Sequence, residues 1–102
     1  MEEKKISIVM TFFERHEQLK QTIISISKTN YTNYNIIIVD DCSETDININ
    51  ELHLLLDKKN NIEIIKINKE YKTWTNPVAV YNIGIHVALE YNPDIIILQN
   101  SE

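Results

Sequence analysis

The segment Ile36-Ile37-Ile38-Val39-Asp40-Asp41 constrains this chain more than any other. Four consecutive β-branched residues leave no polar face, so a strand built from them must be covered on both sides. That pattern belongs to the interior of a parallel sheet with helices on each face. The two carboxylates that end the run are costly at such a position unless hydrogen-bond donors meet them. The same short segment therefore predicts a fold class and points to a site.

The apolar runs 6–10, 62–67 and 95–98 also have strand character. The run 95–98 is again continuous, whereas 62–67 alternates more and reads as an edge. Between the runs, Leu19, Ile23 and Ile26 recur at i, i+4, i+7 and predict a helix over 14–28. Leu52, Leu55 and Leu56 predict a second helix over 49–59. Asn76 as N-cap before Pro77 opens a third, with Val78, Tyr81, Ile85 and Leu89 in helical repeat and Pro93 at its end. The order β-α-β-α-β-α-β predicts a three-layer α/β/α, Rossmann-like parallel sheet with right-handed crossovers and strand order 3-2-1-4. Ligands of such sheets bind beyond the carboxyl ends of the strands, at the switch point between strands 1 and 4.

The 102 residues fit one domain spanning 1–102, and a chain of this size buries roughly 60–70% of its unfolded surface. A net charge of −5 without clustered Lys/Arg argues against a nucleic-acid partner. No apolar run approaches the ~20 residues of a membrane span, and residues 1–5 are not a signal peptide. The lone Cys42 forms no intrachain disulfide and fits a reducing compartment, so the cytoplasm is the expected location.

Four segments fall at the strand ends: Thr11-Phe12-Phe13-Glu14, Asp40-Asp41-Cys42-Ser43, residues 68–76, and Gln99-Asn100-Ser101-Glu102. A carboxylate at the second can accept the N3–H of uracil, a charge-assisted bond worth about 1.5–3 kcal/mol. The competing reading is a turn in which the aspartates and Ser43 hold their own backbone. Of Phe12 and Phe13, one must point inward. His16, His53 and His86 are scattered without zinc spacing. Cys42 beside two carboxylates reads as a small buried thiol. The only glycine, Gly84, sits mid-helix, where close packing onto the sheet is the expected reason. There is no glycine-rich dinucleotide loop, which argues against NAD or FAD. In the loop 68–76, Trp74 either covers a nucleotide or plugs the core edge, and Lys69 and Lys72 read as solvated or as phosphate partners.

These segments resemble the inverting, family-two glycosyltransferases of the GT-A fold. The stretch Ile6-Ser7-Ile8-Val9-Met10-Thr11-Phe12-Phe13-Glu14-Arg15 resembles their opening strand and nucleotide loop. Tyr31-Thr32-Asn33-Tyr34-Asn35-Ile36-Ile37-Ile38-Val39-Asp40-Asp41-Cys42-Ser43 looks like their strand-Asp-Asp-x-Ser segment. Asn76-Pro77-Val78-Ala79-Val80-Tyr81-Asn82-Ile83-Gly84-Ile85 is similar to their Gly-x-x-x-Ala-x-Asn-x-Gly helix, and Asp94-Ile95-Ile96-Ile97-Leu98-Gln99-Asn100-Ser101-Glu102 stands where the strand before the Asp-x-Asp metal motif belongs. The four matches keep the family's order and cover essentially the whole chain.

The resemblance implies a nucleotide-diphosphate sugar as donor, with a uridine diphosphate sugar favoured, and transfer to an acceptor hydroxyl. It implies that the Thr11 backbone bonds the base, Phe13 stacks on it, Asp41 accepts from its imide and Asp40 supports the loop or the ribose. Asn82 is expected to face the diphosphate side, and Glu14, Gln99 and Ser101 complete the nucleotide-binding set. Glu14 stands where Asn is usual, and Tyr81 where Arg often is. Gln99 and Ser101 replace the two aspartates, which leaves Glu102 as metal ligand and implies weak binding of Mn²⁺ or Mg²⁺, since hard cations want carboxylate oxygens. No residue matches the family's catalytic base, so a second expectation is a truncated, non-catalytic GT-A remnant. Such a remnant acts by association, with homo-oligomers formed through the apolar strand edge 95–98. A receiver-like α/β domain fits less well, because its acidic pair follows the first strand.

Overall fold

The computed structural model describes residues 4–28, 33–41, 44–56, 62–67 and 77–100. The elements are β1 (Ile6–Phe12), α1 (His16–Ser27), β2 (Tyr34–Asp41), α2 (Ile49–Leu55), β3 (Ile62–Ile67), α3 (Pro77–Leu89) and β4 (Ile95–Asn100). The strands form one parallel sheet in the order β3-β2-β1-β4, as the sequence pattern predicts.

Burial explains why the central strand is continuous Ile and Val. From Tyr34 to Asp40 every residue of β2 is buried. Tyr34, Ile36 and Ile38 join Met10 and Phe12 of β1 in a core under α1 (Leu19, Ile23) and α2 (Leu52). Ile37 and Val39 join Val9 in a second core under α3 (Val80, Ala88). Side chains alternate across a strand, so one run feeds both cores and the molecule has three layers. The apolar run 95–98 forms the other edge strand, as the order 3-2-1-4 requires, but it is less covered than a continuous run predicts, with Ile95, Ile97 and Leu98 at 42%, 40% and 50% exposure.

Helix boundaries also differ from the periodicity. α1 begins at His16, because Glu14 takes a left-handed backbone (φ 55°) that no helix admits. α2 is shorter than 49–59: Leu56 turns extended (ψ 109°) and is buried at 4% exposure, giving up helix for core. Its N-cap is Asn48, whose side chain accepts from the Glu51 amide at 3.3 Å. α3 ends at Leu89, ahead of Pro93, in three tight turns to Val87, Ala88 and Leu89 carbonyls. The N-cap expected at Asn76 and the loop 68–76 lie outside the described residues.

Gly84 confirms the close approach. A Cβ there would overlap Val9 Cγ1 and come within 3.1 Å of Val39 Cγ2. The bare backbone lets α3 lie directly on β1 and β2. The far end of α3 is latched by a polar row at the amino ends of the strands. Tyr91 donates to Glu63 Oε2 at 2.9 Å, Lys5 Nζ donates to the Tyr91 carbonyl, and buried Ser7 donates to Asn35 Oδ1 at 2.7 Å.

Two outcomes follow from this packing. Gly84→Ala gains about 1 kcal/mol of helix propensity, but overpacking costs about 1–3 kcal/mol, so urea denaturation should show net destabilisation. The hydrogen bond to Glu63, with burial and that carboxylate's charge, raises the Tyr91 pKa above its ordinary 10.0. A raised folded-state pKa gives stability that is complete below about pH 10 and lost as pH climbs through the folded value. Wild type should therefore lose stability above pH 10 more steeply than Tyr91→Phe, measured by denaturant midpoints across that range.

Candidate nucleotide site

The carboxyl ends of β1 and β2 bring several of the expected residues together, but the aspartate pair divides. The register sets Phe12 beside Asp40 and Asp40 beside Lys66. By alternation Asp40 falls on the α1/α2 side with Ile36 and Ile38, at 1% exposure. Asp41 falls on the α3 side with Ile37 and Val39, and is half-buried. Thr11, paired with Val39, is also half-buried and shares that side.

Phe12 and Phe13 divide as their adjacency requires. Phe12 is 1% exposed in the core, where it meets the His16 ring edge-on with centroids 5.0 Å apart. Phe13 is 50% exposed at the rim just beyond β1. Phe13 directly follows Phe12, which pairs with Asp40, so an exposed aromatic stands at the same end of the sheet as Thr11 and Asp41. The one surprise in this turn is Glu14. Its positive φ is rare outside Gly, Asn and Asp. Its carboxylate accepts from the Thr45 amide at 3.3 Å, which ties the β1–α1 turn to the β2–α2 connection.

Two expected residues, Asn82 and Gln99, are placed differently from the set around Thr11. Asn82 is exposed and stands two positions before sheet-facing Gly84, about 200° around the helix. It therefore faces away from the sheet, not toward the strand ends. Tyr81 is the neighbour that packs against the α3 core. Gln99 is exposed and registered beside Met10, whose side chain belongs to the α1/α2 core. This sets Gln99 on the opposite side of the sheet from Asp41. Ser101 and Glu102 lie outside the described residues, as do Cys42, Ser43, Lys69, Lys72 and Trp74.

Among the described residues no group of three or more His, Cys, Asp or Glu is arranged to hold a metal. The neutral amide of Gln99 does not fit a hard divalent cation well. A cavity of about 200 Å³ between α1 and α2 is lined by His16, Lys20, Asp46, Asn48 and Glu51 over Leu19, Ile47 and Leu52. It opens on the Asp40 side, and its Lys20 is paired with Glu51 at 2.8 Å, which raises the lysine pKa above 10.5. Sequence reasoning missed Lys66, which sits beside Asp40 and ion-pairs with Asp46. Only the register of β3 reveals it.

With the sheet order, the divided carboxylates and the exposed Phe13 in place, the relationship is settled by sequence. The family described as glycosyl transferase family 2 matches residues 7–90. The chain belongs to that family. The match covers β1 through α3 and ends before β4, so the alignment of Gln99, Ser101 and Glu102 with the metal motif stands on the local resemblance alone. No curated protein sequence matches this chain significantly. Among solved structures, the crystal structure of protein Rv1636 from Mycobacterium tuberculosis is similar at 13% identity and a TM-score of 0.46, covering 96% of this chain and 72% of that one. No helix among the described residues is long and apolar enough to cross a membrane.

The strain at Glu14 gives a direct check on this glycosyltransferase turn. A left-handed non-glycine residue costs about 1–2 kcal/mol, so Glu14→Ala, which loses the bond to Thr45 and keeps the strain, should have a lower thermal midpoint by calorimetry than Glu14→Gly, which loses the bond and relieves the strain.

Proposed function

We propose that this family-2 domain binds the nucleotide of a nucleotide-diphosphate sugar, with uridine diphosphate favoured, for transfer to an acceptor hydroxyl. The observation that carries the reading is the grouping of half-buried Thr11 and Asp41 with half-exposed Phe13 at the carboxyl edge of β1 and β2. In this reading the Thr11 backbone bonds the base, Phe13 stacks on it, and Asp41 accepts the imide N3–H. Asp40 holds the strand end from the other side of the sheet. Attack by the acceptor oxygen on the anomeric carbon breaks the bond to the diphosphate, and a base takes the acceptor proton. None of the residues in this sequence is assigned as that base.

A divalent cation contributes weakly in this reading, because Glu102 is its one carboxylate ligand where the family has two aspartates. The net charge of −5 supports a small anionic ligand held by local donors and not a polyanion. The single cysteine supports a cytoplasmic location. A second reading is favoured by one observation, the exposure of Ile95, Ile97 and Leu98 on β4. An apolar edge of that kind pairs with another strand, so the domain acts as an association module. Light scattering at high concentration separates the two, since a strictly monomeric species rules out self-pairing.

Isothermal titration with uridine diphosphate tests the main reading. Asp41→Asn should weaken binding by at least about ten-fold, the loss of one charge-assisted bond, while stability stays within about 1 kcal/mol. Asp40→Ala should do the reverse first, lowering stability by about 1.5–3 kcal/mol. Chelating Mn²⁺ should change the affinity little. Absence of any binding heat at millimolar nucleotide overturns the proposal.

A further inference from the structure

We infer that Lys66 is a positioning residue for the Asp40-Asp41 segment, acting through the connection between β2 and α2. The inference rests on the nucleotide reading above and deepens it. Lys66 lies next to Asp40 in the β2–β3 register. Its Nζ pairs with Asp46 Oδ1, five residues beyond Asp41. One residue earlier, the Thr45 amide donates to Glu14 Oε1 at 3.3 Å. Residues 45 and 46, on the way to α2, are thus held from two sides, by β3 through Lys66 and by the β1–α1 turn through Glu14. That second anchor sits one residue from Phe13, so residues 45 and 46 tie the β1–α1 turn to β3.

Lys66 does not touch the nucleotide in this arrangement. It shares the α1/α2 side with Asp40, whereas Asp41 and Thr11 face the α3 side. Its protonated state is secured: Asp46 chiefly, with Asp40 and Glu14 adding, holds its pKa above the ordinary 10.5. The pair itself is exposed, at 40% for Lys66 and 77% for Asp46. Such pairs shift an equilibrium by about five-fold at most. The contribution therefore falls on the loop and on affinity and leaves global stability nearly unchanged.

The test uses the whole chain, uridine diphosphate as probe, and amide exchange at Thr45 as a readout independent of nucleotide. Lys66→Met and Asp46→Asn should each speed Thr45 exchange and weaken the nucleotide by about two- to five-fold, and Asp46→Asn, at the exposed end of the pair, should do so with little change in thermal midpoint. Lys66→Arg should retain both properties, because it keeps a cation opposite Asp46 and beside Asp40. Unchanged Thr45 exchange and unchanged affinity in Lys66→Met overturn the inference. If wild type binds no uridine diphosphate while Thr45 exchange still responds to Lys66→Met and not to Lys66→Arg, the nucleotide reading falls and the positioning role stands.

Discussion

Enclosure of β2 on both faces is the constraint from which the rest of this structure follows. Seven consecutive residues, Tyr34 to Asp40, are buried, and their side chains alternate between two separate cores. Neither core survives without its covering helices, so α1 and α2 must take one face and α3 the other. The approach of α3 is close because Gly84 brings no side chain between the helix and Val9 or Val39. The carboxyl end of β2 is then the point where an enclosed apolar strand must meet water. The chain marks that point with two carboxylates, one turned to each layer.

That division separates two duties that a pair of adjacent aspartates is easily assumed to share. Asp40 is enclosed at 1% exposure beside Lys66, within a group of charges that also includes Asp46 and Glu14. Asp41 faces the α3 side with Thr11, where Phe13 offers an accessible ring. A charged residue in a low-dielectric strand end is stable only when its neighbours are arranged for it. The Asp40 side therefore resembles a scaffold, while the Asp41 side keeps the accessible surface that a ligand requires.

Much of this was legible in the sequence, and the failures have specific physical causes. Strand identity and order followed from the unbroken Ile/Val run and the helical repeats between the strands. The inward Phe12 and outward Phe13 followed from period two, and the packing role of Gly84 from its lone place in a helix. The same period two divides Asp40 from Asp41, and the helical repeat sets Asn82 opposite Gly84; both signals were present beside the stronger pull of family resemblance. The left-handed Glu14 was not legible, because glutamate carries no preference for that conformation. Nor was Lys66, since the register of β3 against β2 depends on tertiary packing that local pattern does not encode. The early end of α2 reflects the same kind of override, with burial of Leu56 outweighing one more helical turn.

The polar latch at residues 5 and 94 bears on how the protein comes to be made. The Lys5 amide donates to Asp94 Oδ2 and the Asp94 amide to the Lys5 carbonyl, each at 2.8 Å, so β1 meets β4 across a sequence separation of 89. Of the four described strands β1 is synthesised first, yet it lies between β2 and β4 in the sheet. One of its edges is satisfied as soon as β2 emerges from the ribosome. The other must wait until almost every described residue has been translated, with Ile6 and Ile8 beside it. For that interval the nascent chain carries an open, apolar strand edge, the kind of surface that chaperones hold and that neighbouring chains capture. The first of the four described strands to be made is thus among the last to be completed.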